Sequence, residues 1–203
     1  MINLKFSYSV EYEIQRIKNT LLKLDWFNEK GYRLSLPKSL SLGKGGSSNE
    51  EDIKKSIVTE YDEVDYKKVA EVVSEQWSKY ESLLEKYFLE TNTKLEDVYE
   101  VKLTKYGVSG SYNLPSTIII NTQAHYDVGL IKTIIHEIVH LSIEKLIEKY
   151  EVEHWKKERL VDLILDKYVP KINKIQDIPI DIKSVDESFV KHYPNIEEII
   201  KNF

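Results

Sequence analysis

Two histidines and a glutamate near the middle of the chain have the types and the spacing of a metal centre. His136 and His140 are four residues apart, and Glu137 directly follows the first of them. On a helix, residues four apart lie on one face, so both neutral rings can reach one zinc ion at about 2.0–2.1 Å. Glu137 points about 100° away round the helix, beside the ion, where a general base would take a proton from a bound water. The pattern predicts one Zn²⁺ per chain and a catalytic Glu137.

A catalytic zinc usually has three protein ligands and one position left for water, so a third ligand is expected from a neighbouring element. Residues 153–168 are predicted to form a second helix that ends before Pro170, and on it Glu158 and Asp162 lie one turn apart. We expect Glu158 to bind the metal and Asp162 to accept the far N–H of a ligand histidine, which would fix its tautomer. His154, just before this helix, is the rival third ligand.

The helix that carries both histidines is predicted over residues 127–150. Asp127 is expected to cap its N-terminus by accepting a backbone N–H bond. Apolar residues recur along it at spacings of three and four, which gives one wide face that can be buried. They are Leu130, Ile131, Ile134, Ile135, Ile138, Val139, Leu146 and Ile147.

Together these two predicted helices resemble those of the gluzincin metallopeptidases, the thermolysin-like clan. The resemblance rests on His-Glu-x-x-His followed by a helix with Glu-x-x-x-Asp, and it covers about residues 116–165, roughly a quarter of the chain. It implies His136, His140 and Glu158 as zinc ligands, Glu137 as the base and hydrolysis of a peptide or protein substrate. The chain departs from the family in a slightly shorter connection between His140 and Glu158, and no motif identifies the family's later transition-state donors.

Other zinc classes fit less well. The metzincin pattern needs a glycine and a third histidine shortly after the motif, where this chain has Ile143 and Leu146. A site of the deformylase kind needs a cysteine ligand, and the sequence has no cysteine. Two alternatives remain open: unrelated surface histidines, and a non-catalytic zinc-binding interaction or regulatory protein of zincin fold.

The residues that would stabilise the transition state are less well defined by the sequence. An oxyanion needs a donor opposite the metal, and histidine and tyrosine commonly serve. His192 and Tyr193 are adjacent near the C-terminus, and Tyr168 ends the predicted second helix. We take His192 and Tyr193 as candidate catalytic residues, with Tyr168 as a further candidate.

Composition excludes several function classes. The net charge of −5 is mild and both signs are interspersed, while arginine occurs only at Arg16, Arg33 and Arg159, so nucleic-acid recognition is not expected. No apolar stretch approaches the roughly twenty residues that cross a bilayer, and the N-terminus lacks a signal-peptide pattern. We therefore expect a cytoplasmic protein that binds neither membrane nor nucleic acid; the oligomeric state is left open.

The remaining sequence predicts an α+β fold, a mostly helical zincin-like domain with a small β-sheet preceding the motif helix and an N-terminal helical region. Apolar spacing predicts helices over residues 10–24, 64–89 and 186–202, and alternation predicts strands over residues 99–104 and 117–121. Glycines and Pro115 indicate turns between the strands, and residues 111–121 are expected to line the substrate cleft.

Two domain divisions are compatible with this pattern. In the first, residues 1–95 form a helical part that covers the cleft like a pro-segment, and residues 96–203 form the catalytic part. In the second, the whole chain is a single domain. The Gly/Ser-rich run over residues 43–48 is predicted to be a loop or linker within the N-terminal part.

Overall fold

A small mixed sheet, with helices packed against it, forms the fold in a computed structural model that describes residues 2–43, 48–123, 128–173 and 175–203. This confirms the predicted α+β class. Asp127 and residues 44–47 of the predicted loop lie outside the described residues. The elements are β1 (Asn3–Ser7), α1 (Val10–Leu22), α2 (Leu24–Glu29), α3 (Glu50–Glu60), α4 (Glu63–Thr91), β2 (Val98–Thr104), β3 (Gly110–Asn113), β4 (Thr117–Asn121), α5 (Val128–Lys149), α6 (His154–Tyr168), α7 (Lys183–His192) and α8 (Ile196–Lys201).

The sheet has the strand order β1-β2-β4-β3. β1 pairs with β2 and β2 pairs with β4 in parallel, whereas β3 pairs antiparallel with β4 and forms one edge. Helix α5 packs against β3, β4 and α6. This arrangement brings the edge strand, the motif helix and the second predicted helix together.

Two of the four strands were not predicted. β1 is short, and its partner strand β2 lies more than ninety residues further along, as in the pair Leu4 and Tyr99, so no local pattern identifies it. β3 contains Gly110 and Asn113, residues typical of turns, and the prediction of a turn there was wrong. Its ladder with β4, in which Tyr112 is opposite Ile118, overrides these local preferences.

The two helices of the motif follow the sequence closely. Helix α6 begins one residue later than predicted, because Glu153 acts as its N-cap and accepts from the backbone N–H groups of Trp155 and Lys156. The predicted C-terminal helix over residues 186–202 is instead two helices, α7 and α8. Pro194 lies between them, and it has no N–H to continue the helix.

One hydrophobic core spans both parts of the predicted division. Ile2, Tyr66 and Trp77 belong to the same buried cluster as Val101 and Ile138. The indole N–H of Trp77 donates to the carbonyl of Ile2 at 3.0 Å. The sheet and this buried cluster both include residues on either side of residue 95. No helix in the described ranges is long and apolar enough to span a lipid bilayer.

Helix α1 carries a buried carboxyl group, Glu13, which is 1% exposed. One of its oxygens accepts from the hydroxyl of Tyr66 and from the backbone N–H of Lys105, the latter at 2.8 Å. The other oxygen is buried without a hydrogen-bond partner among the described residues. Burial raises the pKa of Glu13 from 4.5 to about 7, although the bonds from Tyr66 and Lys105 oppose this shift.

We predict that Glu13 makes folding stability depend on pH. Since its folded pKa is raised, its contribution is fully present below about pH 4.5 and is lost as the pH rises through about 7. Glu13→Gln keeps a neutral acceptor, so relative to the wild type it should gain about 3 kcal/mol between pH 4.5 and pH 8. Urea unfolding at both pH values measures this gain. Glu148→Gln, on the exposed side of α5, is the control, and equal pH dependence in wild type and Glu13→Gln would contradict the prediction.

Candidate metal centre

Three side chains from α5 and α6 converge on one point. His136 and His140 extend from α5, and Glu158 extends from the neighbouring helix α6. The two Nε2 atoms are 2.9 Å apart, Glu158 Oε2 lies 3.2 Å from His136 Nε2, and Glu158 Oε1 lies 3.3 Å from His140 Nε2. Hence one ligand atom from each residue lies within 4.8 Å of the other two.

These separations fit a zinc ion. Ligand atoms at about 2.0–2.1 Å from a tetrahedral zinc are about 3.3–3.4 Å from one another, close to the distances found here. Two imidazole nitrogens and a carboxylate oxygen are also a donor set that zinc binds. His136, His140 and Glu158 therefore have both the chemistry and the spacing to hold this ion.

Burial and mutual charge set the protonation of the three groups. Burial lowers the pKa of His140 to about 4, so its ring is neutral near pH 7 and has a free lone pair. Burial also lowers the pKa of His136, but the hydrogen bond and charge of Glu158 outweigh it and the net shift is upward. Burial acts to raise the pKa of Glu158, but the two histidines prevail and hold it well below its usual value.

Glu137 lies beside this triad and beneath the edge strand. Its side chain is almost completely buried, and a Cβ at Gly110 would overlap both Glu137 Oε1 and Thr133 Cγ2. Only glycine therefore allows β3 to approach the carboxylate so closely. Burial raises the pKa of Glu137 to about 7, in spite of the opposing charge of His136. A carboxyl group with a pKa near neutral can both take and return a proton.

Tyr112 on β3 is part of the site. The sequence analysis placed it within residues 111–121, which were expected to line the cleft, but gave it no role of its own. Its ring stacks on that of His140 at 5.1 Å between centroids and 16° between planes. Its hydroxyl donates to Glu144 and accepts from Lys157 Nζ at 2.9 Å. These bonds hold the ring flat against the candidate ligand. From sequence, Tyr112 could have been assigned to a contact with the site only if β3 had been recognised as a strand.

Asp162 does not make the contact that the sequence predicted. Its Oδ2 accepts from the backbone N–H of Gln176 at 2.8 Å, and its Oδ1 is buried without a partner among the described residues. His140 Nδ1 is likewise buried and unpartnered there. The expected hydrogen bond from a ligand histidine to Asp162 is therefore absent among the described residues. Asp162 still acts on His136 through its charge, which is one of the weaker effects that raise that pKa.

His154, the rival third ligand, lies next to the triad but outside it. Its Nδ1 is 3.9 Å from Glu158 Oε1, and its Nε2 is hydrogen-bonded to the Tyr32 hydroxyl at 2.8 Å. Tyr32 was not singled out by the sequence analysis. It follows α2 in the N-terminal part, and only the tertiary structure brings it to α6.

His192 and Tyr193, the predicted catalytic residues, are not brought to the triad. The Tyr193 hydroxyl is hydrogen-bonded to that of Tyr168, and both contact Glu90 on α4. His192 is half-buried at the end of α7. None of the contacts described for these residues reaches His136, His140 or Glu158.

Comparisons of this chain with protein-family models, with curated proteins and with solved structures found no match. The resemblance to the gluzincins therefore stays a prediction from two helices.

Proposed function

We propose that this chain is a zinc-dependent peptidase of gluzincin type and zincin-like fold. The observation that carries the proposal is the convergence of His136, His140 and Glu158 with a buried carboxyl group, Glu137, directly beside them. Three ligands of this kind leave one position of a tetrahedral zinc for water, which is the arrangement of catalytic zinc sites.

Each residue of the site has a role in this proposal. His136, His140 and Glu158 would hold the zinc, and Tyr112 keeps the His140 ring in place. When bound, zinc lowers the pKa of a coordinated water towards about 7 and polarises a carbonyl group. Glu137 accepts the proton of the attacking water and returns it to the leaving amine, for which a pKa near neutral is suitable.

The position of β3 at the edge of the sheet favours a peptide as the substrate. β3 pairs with β4 on one side and is the outermost strand of the sheet. An extended peptide can add to such an edge through main-chain hydrogen bonds. Because Gly110 of β3 lies directly over Glu137, a peptide aligned on this strand would have its backbone near the base. This agrees with the expectation that residues 111–121 line the cleft.

The burial of the site favours the alternative function, a zinc-binding protein without turnover. The side chains of His136, His140 and Glu158 are only 13%, 2% and 9% exposed. If the buried site admits no water, a zinc ion there would resemble structural zinc, which has no open coordination position. The alternative predicts bound zinc, a completed coordination shell and no cleavage of any peptide.

Metal analysis beside a peptide-library assay tests the proposal. We expect one zinc per chain in the purified wild type, loss of zinc in His140→Ala, and cleavage of library peptides by the wild type but not by His140→Ala. His192→Ala is the matched control for zinc content, since it removes a histidine outside the triad. Zinc without cleavage would support the alternative, and a wild type that binds no zinc would contradict both functions.

A further inference from the structure

A hydrogen bond from Tyr32 in the N-terminal part of the molecule reaches His154, which lies next to the candidate metal centre. The Tyr32 hydroxyl lies 2.8 Å from His154 Nε2, and His154 Nδ1 lies 3.9 Å from Glu158 Oε1. Both nitrogens of the His154 ring are thus oriented, one towards Tyr32 and the other towards the triad. Neither residue has a role in the mechanism described above.

The partners of the ring favour one tautomer. Burial raises the pKa of Tyr32, as do the charges of Glu158 and Glu137, so the hydroxyl keeps its proton and can donate it to Nε2. Neutral histidine then carries its own proton on Nδ1. On that side the nearest charged group is the Glu158 carboxylate, which favours an N–H over a lone pair. Geometry on both sides of the ring therefore predicts an N–H donor directed at the triad.

Aromatic side chains hold the ring in this orientation. Trp26 and Trp155 contact it edge-on, with centroids 5.4 Å and 4.8 Å from that of His154. Tyr32 stacks on Trp155 and on Trp26. A donor fixed before the reaction stabilises developing charge without having to reorganise, which is the main advantage of an oxyanion site.

His154 and the proposed base are carried by different helices. His154 is on α6, one turn before Glu158, whereas Glu137 is on α5 beneath Gly110 of β3. A carbonyl group attacked by a water next to Glu137 would place its oxygen away from the base. His154 Nδ1 lies on the α6 side of the site, 3.9 Å from Glu158 Oε1.

We propose that His154 donates its Nδ1–H to the carbonyl oxygen of the substrate as that oxygen gains negative charge, and that Tyr32 is the positioning residue that fixes the tautomer. This inference rests on the proposed peptidase function. It assigns the role of transition-state donor to His154, at the start of α6, which Tyr32 of the N-terminal part holds in place. The sequence analysis had instead named His192 and Tyr193 as candidates for this role.

Two variants separate this role from a structural one. His154→Phe keeps a ring among the aromatic neighbours but removes both nitrogens, and Tyr32→Phe removes only the hydroxyl. Tyr150→Phe, whose hydroxyl is bonded to Glu197 instead, is the matched control. We expect all three proteins to keep one zinc per chain. We expect kcat on a cleaved peptide to fall by about 10²-fold in His154→Phe with little change in KM, and by a smaller factor in Tyr32→Phe.

Nitrogen-15 NMR of the metal-free protein supplies a readout that does not depend on activity. With only five histidines, the ring signals can be assigned from single variants. The wild type should show the Nδ1–H tautomer at His154, and Tyr32→Phe should shift the population towards Nε2–H. A wild-type ring with the proton on Nε2 would overturn the inference.

The remaining outcomes are also decisive. Loss of zinc in His154→Phe would make His154 a ligand, and an unchanged kcat would remove it from the mechanism; either result overturns the inference while the peptidase function stands. If the wild type cleaves no peptide, the proposed function fails, and acetohydroxamate binding to the zinc-loaded protein then tests the donor. About tenfold weaker binding in His154→Phe would support it, and equal binding would overturn it.

Discussion

A Glu137→Gln protein is expected to bind zinc as the wild type does and to lose peptide cleavage by at least about 10²-fold. The amide has nearly the same size as the carboxylate, so it fits beneath Gly110 without disturbing the triad. It cannot accept the proton of the attacking water, and general acid–base catalysis contributes typically about 10²–10⁴-fold. The measurement is kcat/KM on a cleaved peptide together with zinc content.

Glu148→Gln is the matched control for this change, since it lies on the same helix, α5, but on the exposed side. It should retain both zinc and activity. A Glu137→Gln protein that is fully active would show that another group is the base. A variant that loses zinc as well would show that Glu137 contributes to the metal centre itself, and the division of roles among the site residues would be wrong.

Deletion of residues 1–48 is expected to leave a protein that does not fold stably and has no activity. The deletion removes β1 from the sheet, so β2 loses its parallel partner. It also removes Ile17, which is fully buried in a second core cluster against α3. Arg16 is lost too, and its guanidinium donates to the carbonyls of Tyr106 and Val108 and to the Ser111 hydroxyl. Circular dichroism, thermal unfolding and the peptide assay measure the result.

The alternative in which the N-terminal half is an inhibitory pro-segment predicts the opposite outcome. That alternative predicts a shortened protein that is folded and more active than the full chain. The informative control is a chain cut by a protease within residues 43–48 with both pieces kept together. This protein still contains β1 and Arg16, so we expect it to stay folded, whereas the deleted protein does not.

The motif helices were predictable because their signals are local. The spacing of His136 and His140, the apolar period around them and the Glu-x-x-x-Asp pattern all lie within about thirty residues. Such patterns also fixed α6 to within one residue, since its cap Glu153 and its terminator Pro170 are encoded next to it. Glu158 was correctly expected to be a neighbour of the histidines for the same reason.

The rest of the site could not be predicted because it depends on contacts between distant segments. Tyr112 reaches His140 only because a segment with turn residues pairs as a strand with β4. Tyr32 reaches His154 across more than a hundred residues of chain. Asp162 had the right spacing for a histidine, but Gln176 supplies a backbone N–H that binds it instead. Helical spacing predicts which side chains share one face of a helix. It does not predict which residues of distant segments contact that face.

The pairing of β1 with β2 has a consequence for how this protein is made. Residues 3–7 leave the ribosome before residues 98–102, their partners in the sheet, which follow more than ninety positions later. Bringing together two segments separated by so long a chain costs conformational entropy. Folds rich in such distant contacts therefore fold more slowly than helical bundles do. Until β2 has been synthesised, the backbone of the first strand has no sheet to join. The metal centre, whose edge strand belongs to that sheet, would therefore assemble only after β2, β3 and β4 have been synthesised.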